Sequence, residues 1–200
     1  MTDFRRAIEE YIAREARPVE KFGHQPRLYA LTLQVGAGHE YDDDVVFAAA
    51  WLHDLGVFIG HRPEDPELLA NWDNAAYAAG RAPALLEEMQ FPSEKVNAVV
   101  EAIRTHQVAA DPVAVEGVIL RDADILEQLG AIGIVRTVCK IGRDSRFPTF
   151  TAAAESLRKA LAVLPSQIRL ETTRALAQPK IDLLEAFLSA LETESHPALY

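Results

Sequence analysis

One cysteine in 200 residues rules out an internal disulfide and suits a reducing cytoplasm. That residue, Cys139, lies in an apolar helical pattern and reads as a small core side chain rather than a nucleophile. Basic residues are also scarce: 20 Lys and Arg against 30 Asp and Glu leave a net charge of −10. A surface of that sign suits neither a nucleic-acid polymer nor an anionic membrane as main partner. A small anionic substrate stays open, because a local metal ion or arginine overrides the net field. No apolar run approaches the length that spans a bilayer. Met1-Thr2-Asp3-Phe4-Arg5-Arg6 leads into a charged amphipathic stretch, not an apolar leader. No stretch alternates with period two over six residues, so a sheet has no signal. Internal repeats and linker-like composition are missing too, so one domain is expected over residues 1–200.

What is present is a chain 49% apolar and 25% charged, enough for an ordinary globular core. Its patterns are helical. Thr2 and Asp3 can cap a helix to about residue 16, with Phe4, Ile8, Tyr11 and Ile12 on one face and Pro18 ending it. A second helix begins near His24, with Pro26 in its first turn. His24, Leu28, Leu31 and Val35 form one stripe, so His24 opens a core-facing row. Gly36-Ala37-Gly38 stops it, and His39 sits in the exposed loop.

The run from Val45 to Leu52 is almost wholly apolar and reads as a helix buried on nearly all sides, over about 44–55, with Gly56 as its stop. Asp42-Asp43-Asp44 precede it and suit its N-terminus, where carboxylates cap the chain and complement the dipole. At its other end stand two adjacent ionisable residues, His53 and Asp54. A buried pair of this kind is costly unless something satisfies it, and a metal ion does. Residues 57–66 form a loop that leaves directly from this pair.

Helical patterns resume at 67–80, at 83–90 and at 94–106, the last capped by Pro92-Ser93. A further helix over 116–129 carries Asp122 and Asp124 among aliphatic residues, and one of the two should point inward. Gly130 breaks that pattern and residues 131–141 resume it. Residues 142–148 form a loop with the turn formers Asp144 and Ser145. Two amphipathic helices, 151–164 and 169–191, are separated by Pro165; Pro179 kinks the second, and residues 192–200, with Pro197, should fray. The expected fold class is an all-α helical bundle. His24, His53, Asp54 and either Asp122 or Asp124 are its candidate ligands, since bundle interiors commonly hold such sites. Two imidazoles and two carboxylates suit one divalent ion among Mn, Fe, Co, Ni, Zn or Mg.

At these residues the chain resembles the HD-domain superfamily of metal-dependent phosphohydrolases over about residues 20–140. That family carries a His on one helix, a His-Asp pair ending a later helix, and a distant Asp. The matching positions are His24, His53-Asp54 and, in the context Ala123-Asp124-Ile125-Leu126, Asp124. The resemblance thus selects Asp124, although apolar spacing alone favours Asp122. Gly130-Ala131-Ile132-Gly133-Ile134-Val135-Arg136 also looks like small bacterial members of nucleotide-pyrophosphohydrolase type.

The resemblance implies hydrolysis of a small phosphorylated substrate, a nucleotide by preference, with His53 and Asp54 catalytic. Arg62, His106 and Arg136 are the candidate substrate contacts, with Arg104 a further cation to meet developing charge. Trp51, Trp72 and Tyr77 read as core residues more than as stacking platforms. Relatives often carry Lys, Arg or Glu three residues after the Asp of the pair; here that position is Val57. Dinuclear members add later histidines. His61 falls in the loop and His106 ends a helix, so the site reads as mononuclear with His106 as a pocket residue. The alternatives are a metal-bearing ligand-binding protein without turnover, or a non-phosphate enzyme such as a hydratase or oxygenase. A homodimer is also allowed.

Overall fold

The computed structural model describes residues 3–107, 109–144 and 146–195. Ten α-helices run along them: α1 (Phe4–Glu15), α2 (His24–Val35), α3 (Asp43–Leu52), α4 (Pro66–Ala70), α5 (Asn74–Glu88), α6 (Val96–Thr105), α7 (Val115–Gln128), α8 (Gly130–Val138), α9 (Phe150–Gln167) and α10 (Glu171–Ser195). Three short 3₁₀ turns join them, and the only β-type feature among the described residues is an isolated bridge between Ile59 and Arg62. The all-α expectation holds. No described helix is long and apolar enough to cross a membrane. The chain divides into two compact units, Met1–Arg121 and Asp122–Tyr200, and the division falls inside the continuous helix α7.

The first unit is built on α3. Every residue from Val45 to Leu52 is buried, and α1, α2 and α6 all pack on this helix. Each helix brings an apolar face: Ile8 and Ile12, Leu28 and Val35, Val99 and Ile103. Burial of one such side chain contributes about 1.5–3 kcal/mol, which makes α3 the element least able to accept a polar change. Its start is fixed by charge. Asp42 accepts from the Asp44 and Val45 N–H groups. Arg5 pairs with Asp43 and Asp44 at 2.8 and 2.6 Å, and Lys95 with Asp42 and Asp44 at 2.9 and 2.8 Å. The acidic triple is a cap with its own cations.

In the second unit α8, α9 and α10 pack on one another through Ala153, Ala154, Leu157 and Leu164 of α9 and Ala177, Leu184 and Leu188 of α10. Asp122, fully buried, accepts the backbone N–H groups of Arg169 and Leu170 at 3.1 and 2.9 Å, just ahead of α10.

Several expectations need correction. α3 stops at Leu52 rather than near 55; His53 caps it, and Leu55–Val57 is a 3₁₀ turn. Pro83 and Pro165 do not break helices but lie inside α5 and α9, as Pro179 lies inside α10. A helix-interior proline costs about 3 kcal/mol, which the buried face of α5 (Ala75, Ala78, Ala79, Ala82, Leu85 and Leu86) can offset. Leu31 is half-buried while Thr32 takes the inward position and donates to the Tyr29 carbonyl. Cys139 is exposed, not core: it caps α8, whose Ile132, Val135 and Val138 are themselves exposed. α10 stays helical through Ser195, where fraying was expected from 192; residues 196–200, Pro197 included, lie outside the described residues.

Candidate metal centre

The candidate centre lies at the C-terminal end of α3. His53 keeps helical dihedrals, φ −55° and ψ −34°, and its N–H still reaches the Ala49 carbonyl. Its side chain turns back, with Nδ1 2.9 Å from the Ala50 carbonyl oxygen. A carbonyl only accepts, so Nδ1 carries the proton and Nε2 presents a lone pair. His24, the first residue of α2, meets it there: the two Nε2 atoms stand 3.2 Å apart, with both rings buried.

Asp54 follows at φ −98° and ψ 13°, no longer helical. Its Oδ2 lies 3.5 Å from His24 Nε2 and its Oδ1 3.7 Å from His53 Nε2. Asp124, half-buried on α7, completes a group in which one ligand atom each from His24, His53 and Asp124 lies within 4.8 Å of the others. Asp54 is not part of that triplet, although its carboxylate approaches both imidazoles. Asp124 Oδ2 also accepts from Gln128 Nε2, one turn on, at 3.0 Å.

These residues fit a divalent ion. Donors bound at about 2.0–2.1 Å to one metal at right-angled to tetrahedral positions stand roughly 2.8–3.4 Å from each other, and the two Nε2 atoms are 3.2 Å apart. A nitrogen and oxygen donor set of this kind suits borderline to hard ions. The carbonyl bond to His53 Nδ1 is the outer-shell contact that orients an imidazole ligand.

His106 repeats the device. It caps α6, its Nδ1 lies 2.6 Å from the Ile103 carbonyl three residues back, and its ring centre is 4.9 Å from that of His53. It is buried, so Nε2 is its remaining polar atom. The structure thus brings His106 beside the pair.

Arg62 is half-buried in the loop, and among the described residues its side chain makes no hydrogen bond or ion pair. Arg104 is exposed and 3.9 Å from Glu101, a surface pair. Arg136 spends its guanidinium on buried Glu127 in the second unit. Trp51 is buried against Phe22 and Phe47, and Trp72 Nε1 donates to the Gly56 carbonyl at 2.8 Å.

Two features escaped the sequence. His61 is not a plain loop residue: its Nδ1 is 3.0 Å from Tyr77 Oη and its Nε2 3.1 Å from Glu15 Oε2, which ties the loop to α5 and α1. Asn74 Nδ2 donates to Asp54 Oδ1 at 3.4 Å. Neither contact has a signal in spacing or composition, because both depend on how the loop folds back.

No family model and no curated protein sequence matches the chain. Solved structures do. YpgQ of Bacillus subtilis is 21% identical, with a TM-score of 0.75 and 97% of each chain covered. The same protein in complex with ADP gives 20% identity and a TM-score of 0.72, over 95% of this chain and 97% of that one. A predicted HD superfamily hydrolase from an uncultured Thermotogales bacterium is 24% identical, with a TM-score of 0.64, over 97% and 92%. An HD-superfamily hydrolase from Bacillus thuringiensis is 20% identical, with a TM-score of 0.68, over 96% and 95%. The helices, their order and these likenesses agree, and the chain has the HD-domain fold.

Proposed function

We propose that this protein is a metal-dependent hydrolase whose substrate is a small phosphorylated molecule, a nucleotide by preference. The observation that carries the reading is the convergence of His24, His53 and Asp124 ligand atoms within 4.8 Å, with the Asp54 carboxylate against both imidazoles. Support for a hydrolase comes from the HD-superfamily hydrolases that share the fold. Support for a nucleotide comes from YpgQ, a similar structure that binds ADP.

In this reading His24, His53, Asp54 and Asp124 hold one divalent ion. When bound, the ion polarises a phosphoryl oxygen and makes water a nucleophile near neutral pH. The protein's own groups do the rest. Asp54 takes the proton of the attacking water on a carboxylate oxygen. His53, fixed by the Ala50 carbonyl, keeps Nε2 aimed at the centre. His106, its Nδ1 held by the Ile103 carbonyl, presents Nε2 beside the pair as an acceptor for a water or a substrate hydroxyl. Arg62, on the loop that leaves the pair, meets charge developing on the phosphoryl group. Val57 supplies no polar group at its position, so among the chain's own groups the transition-state charge falls to Arg62.

The test is a panel of nucleoside mono-, di- and triphosphates and simple phosphomonoesters, assayed with Mn, Mg, Ni or Zn. Release of phosphate or pyrophosphate that stops in chelator supports the reading. A protein that binds none of these ions, or that binds one and turns over nothing on the panel, refutes it.

A further inference from the structure

α5 begins on the turn that carries Asp54. Asn74 is its first residue, and Asp73 caps it by accepting from the Ala76 N–H. Gly56 lies directly against that start. A Cβ at position 56 would fall 2.7 Å from the Asn74 carbonyl oxygen and 2.8 Å from its Cα. Such contacts with backbone exclude any larger residue without displacing α5. Trp72 adds a second tie, donating its indole N–H to the Gly56 carbonyl at 2.8 Å. One turn into α5, Tyr77 meets His61, which meets Glu15 of α1. The first turn of α5 is therefore a braced platform beside the His53-Asp54 pair.

From that platform the Asn74 amide donates to Asp54 Oδ1 at 3.4 Å, while Oδ2 is the oxygen closest to His24, at 3.5 Å. The amide engages Oδ1, the oxygen that lies 3.7 Å from His53 Nε2, while Oδ2 faces His24, so one bond fixes the plane in which both oxygens meet the imidazoles. Being neutral, it orients the carboxylate without cancelling its charge, so the negative charge stays available to a cation. We infer that Asn74 is a positioning residue for Asp54, held within reach by Gly56, and that it sets the affinity of the centre for its ion. The inference rests on the metal-centre reading given under Proposed function.

The experiment is a Mn²⁺ titration of wild type, Asn74→Ala, Asn74→Leu and Gly56→Ala, followed by loss of the free-ion EPR signal. Thermal melting of each protein in chelator controls for folding. Outer-shell partners of metal ligands typically hold about 10–100-fold in affinity. Asn74→Ala and Asn74→Leu should lose that much while their melting in chelator stays at the wild-type value. Gly56→Ala should lose affinity as well, with the Asn74 amide still present, because its Cβ pushes the start of α5 away. Asn74 variants that bind Mn²⁺ as wild type does overturn the inference alone. So do variants whose affinity loss is matched by lower melting in chelator, which is a merely structural role. A wild type that takes up no Mn²⁺ overturns the metal-centre reading, and this inference with it.

Discussion

At its N-terminus α3 meets three carboxylates, Asp42, Asp43 and Asp44, and two cations, Arg5 and Lys95. At its C-terminus it meets two buried imidazoles, a third close by, and the Asp54 carboxylate. The first end is electrostatically closed. Carboxylates complement the helix dipole there, and the chain's own lysine and arginine neutralise them. The second end has the opposite dipole, where negative charge is disfavoured and cations are welcome. Yet the chain puts a carboxylate there, with imidazole nitrogens aimed at one another. A divalent cation reverses that balance, and ion-pair chemistry of the first kind does not need one. Acidic clusters by themselves therefore say little; the orientation of donors at a helix end says more.

The largest expected effect breaks the C-terminal end. His53→Ala should abolish metal-dependent hydrolysis and remove the stabilisation that bound ion gives the native state. That stabilisation is about 2.7 kcal/mol when free ion stands at 100 times its Kd. Melting of wild type and variant, each with Mn and with chelator, reads it directly: only wild type should shift. Equal shifts in both proteins would mean that His53 does not hold the ion.

Arg62→Ala comes next and separates binding from chemistry at the same end. Metal content and the Mn-dependent melting shift should persist. The ratio kcat/KM should fall by about 2–4 kcal/mol, the usual cost of removing one group that stabilises transition-state charge. Unchanged turnover would remove Arg62 from the machinery.

The same contrast recurs two residues apart on α7. Asp122 is committed to the backbone N–H groups of Arg169 and Leu170, while Asp124 joins the His24 and His53 donors. Asp122→Asn should cost about 1–3 kcal/mol of stability, because charge-assisted bonds to buried N–H groups are lost, and should keep the metal. Asp124→Asn should lose metal with little change in melting in chelator. Metal analysis and denaturant unfolding of the two variants decide between them, and the reverse pattern would exchange the two roles.

The fold class was legible because period 3.6 appears throughout and period two nowhere. The central helix was legible because eight successive apolar residues admit no exposed face. The capping of α3 by Asp42 followed from position alone. Sequence pattern puts a helix start at residue 83 and a helix boundary at Pro165, but both prolines lie inside helices, because tertiary packing of the surrounding faces outweighs one lost backbone bond. Cys139 was misread because an apolar neighbourhood in sequence became an exposed helix end. Apolar spacing picked out Asp122 as the inward residue, which it is, but burial serves a helix junction rather than an ion. Only the Ala123-Asp124-Ile125-Leu126 context pointed to Asp124. The contacts of His61 and Asn74 were beyond reach, since they join residues 46 and 20 positions apart through a loop with no periodicity.

The smallest effect tests the closed end. Asp44 has its pKa lowered, first by the hydrogen bond from Lys95 and then by that from Arg5. A carboxyl whose folded pKa lies below its unfolded one contributes stability that is present above the unfolded value. That stability is lost as pH falls through the folded value, where the native state also takes up the proton. Lys95→Met removes the leading cause while Arg5 remains. At pH 7 the variant should lose roughly 1 kcal/mol or less, as partly exposed pairs do. As the pH drops below the ordinary carboxylate range, the two proteins should converge, because protonated Asp44 has no pair left to lose. Salt should shrink the pH 7 difference, and chelator or Mn should leave it unchanged, since the ion pairs at this end of α3 include none of the candidate ligands. A Lys95→Met difference that grew in acid, or that tracked the metal, would show that the two ends of the helix are not independent.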